Sequence, residues 1–250
     1  MTPPPCLCAG TRPALPRAGR YGPPTPAPGP RAATCSPTRR RTDRHSGIWE
    51  EARAAGLYVH LASERVMAAM SADSQGVLAV VAMDEAAGPG ALAAALSGAM
   101  LVVVLTEAQD PGNAGAIIRA ADAAGADAVV LLRGSVDATS PKVVRSSAGS
   151  LFHLPVVTGV TLDDAVAALR EADLAVVAAD SRGALDLFDA DAVLEGPIAW
   201  LLGNEARGLP PEALSRADAV ISIPVRGRAE SLNVAAAAAV CLYATARAQR

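Results

Sequence analysis

From Ala99 to the C-terminus, continuous runs of Val, Ile and Leu alternate with segments in which apolar residues recur at helical spacing. AMLVVVL (99–105), DAVVLL (127–132), LFHLPVV (151–157), DLAVVAAD (173–180), PIAWLLG (197–203) and DAVISIPV (218–225) read as strands. NAGAIIRAADAAG (113–125), PKVVRSSAG (141–149), LDDAVAALREA (162–172), PPEALSRA (210–217) and SLNVAAAAAVCLYATARAQR (231–250) read as helices. Apolar strands separated by helices predict an α/β fold with a mostly parallel sheet covered by helices on both faces. Helix starts are signalled by Asn113 as an N-cap, by Pro141 after Ser140, and by Thr161 before Leu-Asp-Asp. Upstream, IWEEARAAGLYVHLASERVMAAM (48–70) keeps helical spacing and QGVLAVVAM (75–83) reads as a strand. This is a small α/β fragment, shorter than the lengths that usually fold alone. Residues 1–46 are rich in Pro and Arg and have no apolar period, so the stretch is predicted to be disordered. It reads either as a basic arm on RNA phosphates or as a dispensable extension. The expected organisation is an extension over 1–46, a partial domain over 47–88 and an α/β domain over 99–250.

With 250 residues and 51% hydrophobic content, the chain can bury one substantial core. Aromatics make up 3%, so base stacking on aromatic platforms is not expected to dominate any nucleic-acid contact. The net charge of -3 hides an asymmetry. Residues 1–45 hold eight of the 22 basic residues and one of the 25 acidic ones, Asp43, which leaves 14 basic against 24 acidic in the body. An acidic body argues against non-specific coating of nucleic acid but leaves room for a local basic site. Cys6, Cys8 and Cys35 lie in the tail and Cys241 in an apolar helix, with no CxxC pair and no histidine at ligand spacing, so no metal is expected. No disulfide framework or signal-type segment is visible, which points to the cytoplasm. The longest apolar run, 234–246, is too short to span a bilayer.

Polar residues cluster where apolar elements stop, which is how a site at the carboxyl ends of parallel strands is written. The first cluster is TEAQDPGNAGAIIRAADAAGA, from Thr106, in which Arg119 is expected to project back over the strand ends and face the crevice. Taken alone, the cluster reads instead as a solvated helix residue beside packing glycines. No GxGxxG or GKS/T occurs, which disfavours dinucleotide and P-loop sites. In the second cluster, GNEARG (203–208), Glu205 could accept a ligand hydrogen bond or orient Arg119, or the segment could be a plain turn. The third is IPVRGRAESLNVA (223–235), where Ser231 and Asn233 open the last helix. Free backbone N–H groups there could hold a small polar ligand, or Ser231 could be a simple N-cap.

Taken in order, NAGAIIR, LLGNEARGL and IPVRGRAESLNVAAA resemble the three signature motifs of the SpoU-type (TrmH-like) RNA ribose 2′-O-methyltransferases of the SPOUT superfamily. The resemblance covers about 99–250, and SPKVVRSSAGSLFHLPVV is similar to the family's connecting segment. It implies a C-terminal trefoil knot, an exception to the usual absence of knots, with S-adenosyl-L-methionine as cofactor. It implies that Gly203, Ile223, Pro224 and Leu232 bind the cofactor and that Asn113, Arg119, Glu205, Ser231 and Asn233 line the transfer site. It also implies a homodimer, in which Arg119 of one subunit approaches the other's pocket. The partner it implies is RNA, either rRNA or tRNA, which Arg119, Lys142, Arg145, Arg207, Arg226 and Arg228 are expected to grip. No membrane partner is expected.

A guanidinium with a pKa above about 12 is a poor general base, so Arg119 is expected to clamp phosphate and developing alkoxide while a neighbour or water takes the proton. Two departures from the family stand out. The segment over 48–84 resembles only the second half of the family's N-terminal RNA-binding domain. In the third motif, alanines follow Asn233 where polar and β-branched residues are usual, and Arg226 stands where a hydrophobic residue is frequent. The rival readings are a catalytically silent RNA-binding or ribosome-assembly protein on the same fold, and a nucleotide-binding oxidoreductase. The second lacks its glycine fingerprint.

Overall fold

The structure, a computed structural model, describes residues 31–34, 45–71, 74–81, 87–204 and 207–250. The chain divides into two compact units, Met1–Asp84 and Glu85–Arg250. In the first, strand β1 (Arg31–Thr34) pairs antiparallel with β2 (Val77–Val80), Arg31 opposite Val80, alongside helices α1 (Ser46–Ala54) and α2 (Glu64–Met70). β1 falls inside the stretch read as disordered. RAAT lies between Pro30 and Pro37 and keeps every backbone donor, so these four residues can form a ladder. The rest of that stretch up to residue 44 lies outside the described residues. The helical spacing over 48–70 proves to be two helices. Gly56 turns the chain out at φ 71°, with Leu57 N bonding back to Ala52 O, and Ser63 restarts it by accepting from Val66 N at 3.4 Å.

The second unit is a seven-stranded sheet in the order β5-β4-β3-β8-β6-β9-β7, with every pairing parallel. The strands are β3 (Leu101–Leu105), β4 (Ala128–Leu132), β5 (Val156–Val160), β6 (Ala175–Ala179), β7 (Leu185–Asp186), β8 (Ile198–Leu202) and β9 (Ala219–Ser222). The helices are α3 (Gly88–Leu96), α4 (Pro111–Ala124), α5 (Pro141–Ser146), α6 (Leu162–Glu171), α7 (Asp191–Leu194), α8 (Pro211–Arg216) and α9 (Val234–Ala248). β3, β4 and β8 are buried along their whole length, and alternate residues feed opposite faces. Leu101, Val103 and Leu105 pack with Ile117, Trp200 and Leu242 under α4 and α9, while Val102 and Val104 pack with Leu92, Leu96 and Leu169 under α3 and α6. Helices therefore cover both faces, as the pattern predicted. Among the described residues, no helix is long and apolar enough to cross a membrane.

Three local elements differ from the expectation. α3 was not anticipated, because GPGALAAAL is mostly glycine, proline and alanine, yet Leu92 and Leu96 are core residues. The segment LFHLPVV is a strand only from Val156; Ser150–Phe152 forms a 3-10 turn after Gly149 at φ 95°. The short strand β7 was also unforeseen.

α9 runs antiparallel to the strands. Its N-cap is Asn233, while Gln249 at the far end donates Nε2 to Met100 O (3.2 Å) and Gly196 O (2.8 Å), just before β3 and β8. In its last turn, Thr245 Oγ1 accepts from Trp200 Nε1 at 2.9 Å, so the buried indole is satisfied by the helix that covers it. Cys241 lies on the same buried face, and burial pushes its thiol up to about 12.

Candidate functional site

Thr106, Gly203 and Ile223 follow directly on β3, β8 and β9, which puts the three polar clusters at one edge of the sheet. At the exit of β3, Asp110 caps α4 by accepting Asn113 N at 2.9 Å, with Pro111 in the first turn. Asn113 is therefore inside that turn and is not the cap, because Asp110-Pro111 starts the helix earlier. Lys142 Nζ lies 3.3 Å from Asp110 Oδ2. The Asn113 amide, then Lys142, holds the Asp110 carboxyl below the usual carboxylate range. Gly115 lets α4 and α5 cross closely: a Cβ there would stand 1.9 Å from Ser146 Oγ and 2.6 Å from Val143 O.

At the exit of β8, Gly203 is equally constrained, since a Cβ would meet Gly208 C at 2.3 Å and Leu209 N at 2.5 Å. Asn204 and Gly208 exchange both backbone hydrogen bonds, at 3.1 and 2.8 Å. The buried Asn204 side chain then ties this loop to the exit of β3 by donating Nδ2 to Glu107 O at 2.9 Å, and its Oδ1 accepts from Arg207 N at 3.3 Å. Arg207 Nη2 in turn reaches Glu107 Oε2 at 3.0 Å. Glu205, expected at this site, lies outside the described residues.

Beyond β9, Asn233 caps α9 with Oδ1, accepting from Ala235 N (2.9 Å) and Ala236 N (3.3 Å). That fixes the amide orientation, so Nδ2 donates to Asn113 Oδ1 at 3.1 Å. One side chain thus joins the first motif to the third. Ser231 is exposed and is not the cap. Ile223 and Pro224 are half-buried, Leu232 is exposed, and from Pro224 to Leu232 the backbone makes no hydrogen bond within the protein among the described residues. Such a run of unpaired donors and acceptors beside half-buried apolar side chains fits an uncharged ring system and an amino-acid moiety held by main chain.

Arg119 lies further along the same helix as Asn113. α4 buries Ala114, Ile117, Ile118 and Ala121, which turns Arg119 to solvent about 9 Å along the axis from Asn113. It makes no hydrogen bond or ion pair among the described residues. Arg145, Arg226 and Arg228 are likewise exposed.

Two site residues escaped the sequence reading. Asp180, at the end of β6, holds Arg182 with both oxygens, Nε at 2.8 Å and Nη2 at 3.0 Å, and that pairing keeps its carboxyl below the usual range. The turn it stiffens arches over β9, because a Cβ on Gly183 would lie 2.6 Å from Ile221 C. Glu107 carried no sequence signal at all, whereas Asp110-Pro111 is a readable helix start.

A family model described as the SpoU rRNA Methylase family matches residues 100–243. The chain is 33% identical over 211 residues to a 23S rRNA (guanosine-2′-O-)-methyltransferase of Bordetella pertussis, covering 83% of this chain and 85% of that protein. It is 41% identical over 140 residues to a 23S rRNA (uridine(2479)-2′-O)-methyltransferase of Streptomyces viridochromogenes, where the match spans 54% of this chain and 48% of the relative. The crystal structure of a SpoU methyltransferase from Streptomyces viridochromogenes in complex with AdoMet superposes with a TM-score of 0.72 at 31% identity, covering 86% of this chain and 81% of that one.

Proposed function

Since the chain belongs to the SpoU rRNA methylase family, we propose that it transfers a methyl group from S-adenosylmethionine to a ribose 2′-hydroxyl of ribosomal RNA, in the cytoplasm. The observation that carries this reading is the Asn233–Asn113 hydrogen bond, which draws the first and third motifs together beside a backbone run free to take a ligand.

Gly203, Ile223, Pro224 and Leu232 would hold the cofactor, mainly through main-chain groups. When bound, it supplies an electrophilic methyl on a sulfonium. The chain's own residues would hold the hydroxyl in line, its proton passing to a neighbouring group or water as the bond from sulfur to the methyl breaks. Positioning alone can lower such a barrier by about 7–11 kcal/mol in favourable cases. Asn113 and Asn233 restrain each other, so each presents a fixed polar edge to the ribose. Lys142, Arg145, Arg207, Arg226 and Arg228 supply a local basic rim on an acidic body, suited to RNA phosphates.

The strand order supports a trefoil knot: β9 lies between β6 and β7, although residues 180–184 connect those two strands directly. The exposed Arg119 supports the homodimer reading, in which it acts on the partner's pocket as a clamp for phosphate and alkoxide. Glu205 is assigned to the same site on its motif position alone.

Calorimetric titration with S-adenosylmethionine, followed by mapping of 2′-O-methyl marks in 23S rRNA from a deletion strain, tests the reading. Binding and the loss of a mark are expected. No binding at millimolar cofactor would instead favour a silent RNA-binding protein.

A further inference from the structure

Glu107 leaves β3 with φ 51°, in the left-handed region that strains a side chain and suits glycine. Two ties converge on it from the second motif, 97 and 100 residues away: Asn204 Nδ2 on its carbonyl at 2.9 Å and Arg207 Nη2 on its carboxylate at 3.0 Å. Both side chains of the ion pair are largely exposed, Glu107 at 52% and Arg207 at 71%. An exposed pair adds little to folding, so stability does not account for a strained carboxylate here. A strained residue of this kind at a site points to function.

We propose that Glu107 is a positioning residue for RNA that acts through Arg207. Its carboxylate occupies the guanidinium in the free protein and yields it to a phosphodiester of the substrate. This rests on the RNA methyl-transfer reading above. A phosphodiester offers the same paired oxygen acceptors as a carboxylate, so the exchange needs no new donor. It also costs the RNA a competitor. Binding at this point gains only the difference between two similar pairs, which restrains charge-driven grip on arbitrary RNA while keeping the arginine aimed at the joint between the first and second motifs.

The test titrates in vitro transcribed 23S rRNA, without cofactor, into the full-length protein, E107Q, R207A and the double variant over a range of KCl. E107Q is expected to bind about two- to five-fold tighter at low salt. Its log K against log salt is expected to steepen by about 0.7–0.9, one more uncompensated charge. In the R207A background E107Q is expected to change nothing. A purely structural Glu107 would not produce this dependence on Arg207. E107G, which relieves the backbone as it removes the carboxylate, carries the same expectation if E107Q folds poorly. Unchanged or weaker binding, or equal tightening without Arg207, would overturn the proposal. Because no cofactor is present, these outcomes are separate from a failure to bind S-adenosylmethionine or to methylate, which would overturn the transfer reading alone.

Discussion

Two loops leave neighbouring parts of one sheet edge and are built in opposite ways. The loop after β8 is stapled: Asn204 and Gly208 pair in both directions, the Asn204 amide grips Glu107, and no atom fits between Gly203 and Leu209. The segment after β9 makes no main-chain hydrogen bond within the protein from Pro224 to Leu232 among the described residues, until Asn233 catches Asn113. A binding site needs both kinds of backbone. Rigid parts set positions in advance, and unpaired parts keep donors and acceptors for the ligand.

The contrast is broken most severely at Gly203. Gly203→Ala forces a methyl into backbone at 2.3 Å, and backbone cannot rotate aside as a side chain does. The expected cost is at least about 1–3 kcal/mol, a drop of several degrees in Tm, with loss of cofactor binding. A thermal melt and a calorimetric titration decide it. A variant that melts with the wild type and binds normally would mean the staple is not tight.

Asn233→Ala comes next, because it removes the α9 cap, about 1 kcal/mol, and the bond to Asn113. Asn233→Ser separates the two, since serine still caps but cannot span to Asn113. If the Asn–Asn bond positions the site, the serine variant keeps most of the stability and loses turnover. Equal turnover in serine and wild type would reduce Asn233 to a cap.

These variants also mark how far the sequence could be read. β3, β4 and β8 are buried on both faces, so their apolar runs were unmistakable, and the three clusters after β3, β8 and β9 followed from strand polarity. What stayed hidden depended on atoms far apart in the chain. Nothing local says that Asn233 reaches Asn113, or that Arg207 finds Glu107 across 100 residues. Helical spacing over 48–70 hid the break at Gly56, since period reports which face is buried and not whether the helix is continuous. The side of the helix that Arg119 occupies was hidden for a related reason, since it is set by which residues α4 buries.

A smaller effect is expected at Asp180, whose chelated Arg182 stiffens the turn over β9. Pairing lowers the folded carboxyl below its unfolded value near 4. Its contribution to stability is therefore present above about pH 4 and is lost as pH falls through the lower folded value. Asp180→Asn is expected to lower Tm slightly at pH 7 and to flatten the decline of Tm with acid. Melts between about pH 2.5 and 6 check it, and parallel acid limbs for wild type and variant would show that Asp180 does not report folding.

The smallest effect is expected in the open segment. Gly227 is exposed, has a negative or extended φ, and a Cβ there would meet nothing within 4 Å. Gly227→Ala should thus leave folding within about ±0.5 kcal/mol, in contrast to the same substitution at Gly203. What it changes is the freedom of unpaired backbone, which alanine narrows. If Pro224 to Leu232 orders around the cofactor, the variant shifts S-adenosylmethionine affinity at constant Tm. A Tm loss matching that of Gly203→Ala would mean that the segment is packed like its stapled neighbour, and the division between the two loops would fall.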